Sequence, residues 1–123
     1  MWRVEFEPER SLLTLSLREL VSLQQMRRLA EANARALEAT AGEEYRVFVD
    51  LRALFPLDEE AAALFAEVRK VASSLGSFVG MAILADSPTV AMQQHLMRVR
   101  GGTNPELEVI TLDEAEARRF LHA

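Results

Sequence analysis

The densest group of side chains that could do chemistry is an acidic run, Asp58-Glu59-Glu60. Clustered carboxylates suit hard cations such as Mg²⁺ or Ca²⁺, but a metal site needs further oxygens converging from elsewhere, and the sequence identifies none. Acidic residues are also favoured at a helix start, where they cap free amides and stabilise the positive end of the helix dipole. We therefore predict that Asp58 is a helix N-cap, and we expect no metal site and no cofactor.

The other residue types used in catalysis form no recognisable arrangement. The chain has no cysteine, which excludes disulfides, zinc-thiolate sites and thiol nucleophiles. Its two histidines, His95 and His122, lack the spacing of a zinc site, and no serine lies in a Gly-x-Ser-x-Gly sequence. We interpret His95 as a partly buried helical residue. No catalytic residue is predicted, and we expect the protein not to be an enzyme.

Composition narrows the class of protein further. The chain has 123 residues, 14 Lys+Arg against 19 Asp+Glu, and a net charge of -5, which fits one domain spanning 1–123. An acidic chain is unsuited to neutralising phosphates, so we expect no nucleic-acid partner. No apolar run is long enough to span a membrane, and the alternating start does not resemble a signal peptide. We expect a cytoplasmic protein.

The order of secondary-structure elements follows from residue periodicity and from proline and glycine positions. Alternating apolar residues in 2–7 and 11–17 predict an antiparallel hairpin, and the continuous apolar run 78–85 predicts a strand buried on both faces. The remaining predicted strands are 45–51 and 107–110. Between them, the predicted helices are bounded by Ser22 and Gly42, Asp58 and Leu75, and Ser87 and Gly101-Gly102, and the last one follows a Thr111–Glu114 capping box.

Apolar spacing predicts which helix faces are buried. The predicted core stripes are Leu64, Val68, Val71 and Leu75 in the second helix and Met92, Leu96 and Val99 in the third. Phe65 falls on the flank of the first stripe, and Val90 and Met97 lie opposite the second. We expect these three residues either to contact another layer of the same fold or to form an interaction patch.

The elements together predict an α/β fold of order β-β-α-β-α-β-α-β-α. A hairpin followed by repeated strand–helix units favours a mixed, mostly parallel five-stranded sheet with right-handed crossovers. The 78–85 strand is expected in the interior of that sheet.

This element order, the N-terminal hairpin and the segment Val47-Phe48-Val49-Asp50-Leu51-Arg52 resemble the STAS domain, in particular its SpoIIAA-like (STAS/Sec14-like) branch of small stand-alone bacterial proteins. The resemblance covers essentially the whole chain. It implies a non-enzymatic module that binds protein partners, typically anti-sigma regulators. It also implies a second possibility, because some members bind nucleotides or other small ligands and Sec14-like relatives bind lipids.

The resemblance also places a phosphorylation switch on this sequence, and the residues depart from it. The strand end matches Asp50-Leu51-Arg52, and the helix-start aspartate matches Asp58. Glu59 stands where the phosphorylated serine of the family lies, and Ala61 replaces the glycine that follows it. We therefore expect no serine phospho-switch of the usual kind.

Two functions remain open from the sequence. The first is a regulatory or scaffold module that binds a protein partner through the 52–65 segment. Its predicted partner-binding residues are Arg52, Phe55, Asp58, Glu59, Phe65 and Met97. The second is a carrier or sensor of a small apolar ligand or lipid, with walls formed by Phe55, Phe65, Met81 and Met97. A homodimer is compatible with either function.

Overall fold

The computed structural model describes residues 1–101 and 104–122 and has the predicted α/β architecture. The strands are β1 (Trp2–Glu7), β2 (Leu12–Leu17), β3 (Tyr45–Leu51), β4 (Phe78–Ala85) and β5 (Glu108–Thr111). The helices are α1 (Leu23–Glu38), α2 (Glu59–Ala72), α3 (Pro88–Gly101) and α4 (Glu114–His122), and a short 3-10 turn at Pro105–Leu107 precedes β5.

All five strands form one mixed sheet in the order β1-β2-β3-β4-β5. β1 and β2 are an antiparallel hairpin in which Trp2 pairs with Leu17, and every later pair is parallel. β4 lies between β3 and β5, so its predicted interior position is confirmed. Each parallel pair is joined through a helix, which is the connection that parallel strands require.

The helices divide unequally between the two sheet faces. The main core brings α1, α2 and α3 together with inward-facing residues of the sheet, among them Leu13, Leu15 and Leu17, which are fully buried. This alternation was predicted, because successive strand side chains point to opposite faces. On the second face α4 packs alone, and its Ala117 lies in a small cluster with Ala82 and Leu84.

Helix starts follow the predicted caps in three cases of four. Ser22 and Gln25 form a reciprocal capping box, and the Ser87 hydroxyl accepts a hydrogen bond from the Val90 amide at 3.4 Å. The predicted Thr111–Glu114 box is wrong. Thr111 ends β5, and Asp113 caps α4 instead, its carboxylate accepting from the Ala115 amide at 3.0 Å. A carboxylate one residue before the helix reaches the free amides more directly.

The observed ends of α1 and α3 can be compared with the predicted ones. α1 ends at Glu38, before the predicted stop at Gly42, although Gly42 does take the left-handed backbone with φ 79°. α3 continues to Gly101, and Gly102 lies outside the described residues. Within 1–101 and 104–122, no helix has both the length and the apolar composition that crossing a bilayer requires.

The buried face of α2 differs from the prediction. Its buried side chains are Ala61, Phe65, Val68, Arg69 and Ala72. Phe65, predicted on the flank, is fully buried, whereas Val71 and Leu75 are exposed. The helix is thus turned by about one residue, and a guanidinium group occupies part of its inner face.

The face of α3 is inverted relative to the prediction. Met92, Leu96 and Val99, predicted in the core, are exposed, and Val90 and Met97, predicted opposite, are buried. Polar groups on neighbouring elements explain the inversion. Buried Arg69 donates to the Gln94 carbonyl and side-chain oxygens at 3.1 and 2.9 Å and to Glu108 at 2.5 Å.

Arg98 completes this buried network from α3. Its Nε donates to the Glu108 carboxylate at 2.9 Å, and its Nη2 donates to the Glu108 carbonyl at 3.2 Å. Buried polar groups must find partners, so Gln94 and Arg98 have to face inward. The apolar residues on the opposite side of α3 are therefore left in solvent.

Candidate functional site

The carboxyl ends of the parallel strands meet at one edge of the sheet. In open α/β sheets, ligands bind outside the carboxyl ends of the strands where the strand order reverses. The order β1 to β5 does not reverse, so the described sheet has no crevice of that kind, and its carboxyl edge is marked instead by exposed side chains on the connecting loops. Here the edge is formed by residues 18–20 after β2, 52–58 after β3 and 86–87 after β4. These segments contain three of the six predicted partner-binding residues, Arg52, Phe55 and Asp58, and a fourth, Glu59, follows as the first residue of α2.

The first two segments are joined through an unusual backbone arrangement. Glu19 and Ala53 both have positive φ, 59° and 65°, a left-handed conformation that non-glycine residues adopt at a free-energy cost. The Glu19 amide donates to the Ala53 carbonyl at 2.7 Å, and the Phe55 amide donates back to the Glu19 carbonyl at 2.9 Å. Reciprocal bonds of this kind hold both strained residues in place.

This arrangement displays two large apolar side chains in solvent. Leu20 is 70% exposed and Phe55 is 58% exposed. The loop around Phe55 is nevertheless anchored, because Leu54 and Leu57 on either side are buried in the core. Phe55 was predicted as a partner-binding residue, and its exposure is compatible with that role. Leu20 was not identified from the sequence, because nothing there connects it with the distant 52–58 segment.

Side chains of α3 and of the β4–α3 turn fix the rest of the loop. The Asp86 carboxylate accepts from the Ala53 amide at 2.9 Å. Gln93 brackets Leu57, accepting from its amide at 3.1 Å and donating to its carbonyl at 2.8 Å. The loop is thus preorganised, which lowers the entropy lost on binding.

Arg52 has electrostatic partners within the protein. It donates to both carboxylate oxygens of Asp50, at 3.0 and 2.9 Å, and to Glu114 of α4 at 2.5 Å. Burial alone would raise the pKa of Asp50, but the hydrogen bonds and charge of Arg52, with a smaller contribution from Arg18, hold it below its ordinary value. The Arg52 charge is therefore balanced within the fold.

The rim of this edge is acidic. Asp58 is the N-cap of α2 as predicted, accepting from the Ala61 amide at 2.8 Å. Glu59 and Glu60 begin the helix, and both are exposed. We call the exposed residues of this edge the carboxyl-edge surface; they are Arg18, Glu19, Leu20, Ala53, Phe55, Pro56, Asp58, Glu59, Glu60 and Asp86.

The remaining two predicted partner-binding residues do not belong to this surface. Phe65 is fully buried and Met97 is 7% exposed, so of the two alternatives predicted for them the structure shows contact with another layer of the fold, and they form no interaction patch. The alternative ligand walls also fail to converge. Phe65, Met81 and Met97 are packed in the main core, while Phe55 lies in solvent.

A groove of about 510 Å³ lies on the other sheet face, between the uncovered half of the sheet and α4. Its lining includes Leu12, Thr14, Phe48 and Leu121 and charged residues of both signs, and none of the four predicted ligand walls. Four of its charged residues form ion pairs: Glu5 with Arg3, Glu7 and Arg10 with each other, and Arg118 with Glu114.

The two histidines lie in different helices, His95 in α3 and His122 in α4. His95 is exposed on α3, so its predicted partial burial is wrong, and His122 is exposed in the last turn of α4. In the part of the chain that the structure describes, no three His, Cys, Asp or Glu side chains are grouped so that they could hold a metal ion.

Comparison of the chain with family models, with curated proteins and with solved structures found no match. The likeness to the STAS domain therefore stays a prediction that depends on the element order and on residues 47–52.

Proposed function

We propose that this protein is a non-enzymatic, cytoplasmic module that binds a protein partner through the carboxyl-edge surface. The observation that supports this most directly is the strained pair Glu19 and Ala53. Left-handed backbone at non-glycine residues persists where the surrounding structure demands it, and such residues cluster at binding sites. Here the strain serves to display Leu20 and Phe55 together in solvent.

The chemistry of this surface defines the partner. Exposed aromatic and aliphatic side chains act as anchors that enter pockets on a partner. The carboxyl-edge surface has five exposed carboxylates, those of Glu19, Asp58, Glu59, Glu60 and Asp86, against one exposed arginine, Arg18. The positive charge of Arg52 is already paired with Asp50 and Glu114. The partner should present an apolar pocket bordered by Lys or Arg, because charge complementarity favours encounter and register.

The STAS resemblance adds a regulatory hypothesis. An anti-sigma-like regulator in a bacterial cell is a partner of the proposed class. At the position of the family's phosphorylated serine, Glu59 supplies a permanent negative charge on the first residue of α2. Binding would then not be switched by phosphorylation at this position.

Site-directed photocrosslinking in the cells that produce the protein tests the proposal. A photoreactive residue at position 55 should yield one discrete adduct, identified by mass spectrometry. The matched control is position 71, because Val71 is a similarly exposed apolar residue on α2, outside the carboxyl-edge surface. The same adduct from both positions, or none from position 55, would contradict the proposal.

Variants then separate binding from stability. Phe55→Ala and Glu59→Lys should weaken capture of the crosslinked partner by more than about tenfold while melting temperatures change little. Glu59→Gln should have the smaller effect, since it removes a charge without reversing it. A stoichiometric lipid-sized adduct in native mass spectra of freshly purified protein would favour the carrier function instead.

A further inference from the structure

The strand β1 forms one edge of the sheet. In the described part of the chain it pairs with β2 alone, in one continuous register from Trp2 to Glu7. An edge strand presents a row of backbone donors and acceptors on which another strand can pair. The opposite edge strand, β5, has only four residues, and the carbonyl of its first residue, Glu108, accepts a bond from Arg98 at 3.2 Å. β1 is therefore the more open of the two edges.

The hydrogen bonds to β2 determine which backbone groups of β1 point outward. Met1 and Arg18 exchange two bonds, from the Met1 nitrogen to the Arg18 carbonyl at 3.0 Å and from the Arg18 amide to the Met1 carbonyl at 2.8 Å. Such bonded pairs recur at every second position of an antiparallel ladder, so the residues between them turn their N–H and C=O groups away from the partner strand. In β1 these outward-bonding residues are Trp2, Val4 and Phe6.

The two faces of β1 differ in chemistry. Trp2, Val4 and Phe6 are half-buried and pack against the main core. Arg3 and Glu5 lie on the other face and form an ion pair with each other at 2.6 Å, with side chains 72% and 46% exposed. An exposed pair of this kind rearranges with little loss of free energy. A strand added to this edge would therefore meet apolar side chains on one face and alternating charges on the other.

A second copy of β1 matches this edge when a two-fold axis passes through Val4. The two strands then run antiparallel, and Val4 lies opposite its own copy. Trp2 lies opposite the partner's Phe6, and Arg3 lies opposite the partner's Glu5. Aromatic pairs and opposite charges both stabilise a sheet when they are directly opposite. The outward N–H and C=O groups of the three outward-bonding residues also all face one another in this register.

The neighbouring registers fit less well. An axis through Arg3 or through Glu5 would place each of these residues opposite its own copy, and like charges directly opposite destabilise a sheet. Either shift also leaves one of the three outward-bonding residues outside the pairing. An axis midway between two residues would oppose apolar to charged side chains, because successive side chains alternate between faces. We propose that the chain forms a two-fold homodimer through β1, with Val4 on the axis.

The symmetry of this dimer has a consequence that rests on the proposed function. Antiparallel pairing of the two β1 strands joins two five-stranded sheets into one, with the axis perpendicular to it. The helices α1, α2 and α3 of both copies then lie on the same face, and the two carboxyl edges point in opposite directions. The dimer thus presents two carboxyl-edge surfaces that can bind two partner molecules at once.

Sedimentation equilibrium of the full chain tests the dimer. It should show a monomer–dimer equilibrium with a Kd on the order of 10 µM, as expected of a small interface. Arg3→Glu should weaken dimerisation at least about tenfold, because a carboxylate then lies opposite the partner's Glu5 at two symmetric points. Glu5→Arg should do the same with two positive charges. Both side chains are exposed, so the melting temperatures of the variants should change little.

A mixture of the two variants tests the register. Arg3→Glu chains and Glu5→Arg chains regain opposite charges only when they pair with each other, so an equimolar mixture should form heterodimers with about the affinity of the unmodified chain. The ion pair within the strand stays broken in both variants, so this recovery can come only from contacts between chains. Arg10→Glu is the matched control, because it also breaks an exposed ion pair, with Glu7, but lies outside the paired segment. It should leave dimerisation unchanged.

Val4→Pro tests the backbone bonds on the axis. Proline is tolerated in an edge strand where the N–H that it removes points away from the neighbouring strand. The variant should therefore keep the hairpin, as measured by circular dichroism, and lose dimerisation by more than about tenfold.

Several results would overturn the proposal. The dimer is excluded if the unmodified chain sediments as a monomer at every concentration up to about 1 mM. A dimer that persists in Arg3→Glu, or a mixture of the charge variants that stays monomeric, would exclude this edge and register. Photocrosslinking from position 4 to a different protein would make a strand of that protein the occupant. Crosslinking from position 55 reports on the carboxyl-edge surface separately, so each proposal can fail without the other.

Discussion

The Arg69 network beneath α3 and the Arg52 network at the carboxyl edge join the same chemical groups in opposite surroundings. The side chains of Arg69 and Glu108 are 2% and 3% exposed, whereas those of Arg52 and Asp50 are 42% and 22% exposed. Burial lowers the pKa of Arg69, although Glu108 opposes that shift. The pKa of Arg52 is raised instead, chiefly by its hydrogen bond to Asp50.

The contrast shows two ways of fixing an exposed apolar surface. The buried network has almost no access to water, so water cannot replace a hydrogen bond that Arg69 loses to Glu108 or Gln94. The network therefore fixes which face of α3 points outward. The Arg52 network can exchange its protein partners for water with little loss. It can therefore adjust when a partner binds near Phe55, while the face of α3 cannot.

Removing the buried guanidinium is expected to have the largest effect. Arg69→Met leaves Glu108 with Arg98 alone and leaves the Gln94 oxygen without its donor. Breaking a buried pair on one side typically costs about 3–5 kcal/mol in the free energy of unfolding. Urea denaturation followed by circular dichroism measures this quantity.

A double variant sharpens that result. Arg69→Met combined with Glu108→Leu removes the buried carboxylate as well, and Arg98 is near enough to solvent to be hydrated. The double variant should be more stable than Arg69→Met alone, with a coupling energy of about 1–3 kcal/mol. Additive losses would mean that the two side chains do not act as a pair.

The N-terminus of α2, the helix that contains Arg69, offers a smaller effect. Asp58→Ala should lower the free energy of unfolding by about 1 kcal/mol, because it removes an N-cap. Glu59→Gln should lower it by about 0.5 kcal/mol or less, since Glu59 gains only from the helix dipole. Equal losses for the two variants in the same urea titration would show that the cap bond to Ala61 contributes nothing.

Arg52→Met is the matched counterpart of Arg69→Met. Its two carboxylate partners can be hydrated, so the expected loss is about 0.5 kcal/mol. If the two methionine variants are destabilised to the same extent, burial does not make the Arg69 network contribute more to stability than the Arg52 network. High salt should reduce the Arg52 effect and leave the Arg69 effect nearly unchanged.

The smallest expected effect is on acid stability. The pKa of Asp50 is lower in the folded protein than in the unfolded chain, where it is about 3.9. Its ionised form therefore contributes stability above that value, and the contribution is lost as the pH falls through the folded pKa. Asp50→Asn should destabilise the protein at neutral pH, and this difference should shrink toward pH 3 in melting curves. A difference that stays constant with pH would contradict the assignment.

The sequence was sufficient to predict the sheet because strand patterns are local. The alternation of Leu13, Leu15 and Leu17 and the apolar run 78–85 each determine burial within a few residues. The same holds for the Asp58 cap, whose function depends on the next three residues. Arg52, Phe55, Asp58 and Glu59 are close in the sequence, so their common position after β3 at the carboxyl edge follows from the strand prediction alone. Their part in binding stays a prediction.

The helix faces of α2 and α3 could not be predicted for a physical reason. Their orientation is determined by an ion pair between Arg69 and Glu108, which are 39 positions apart in the sequence. No periodicity in 88–101 reveals that Gln94 must face inward. Leu20 was missed on similar grounds, because only the bonds between Glu19 and the 53–55 segment bring it to the surface near Phe55.

The solitary position of α4 also has a consequence for motion. It is a short helix whose Phe120 lies over Gly80, where an added Cβ would be 3.4 Å from the ring. Because α4 is nine residues long and packs alone on its sheet face, it can detach while the three-helix face stays folded, and its amides should exchange with deuterium through a local opening, ahead of the global one. Glu114 ties this opening to Arg52. A partner that binds the carboxyl-edge surface and displaces Arg52 from Glu114 should therefore change the amide exchange rate of α4.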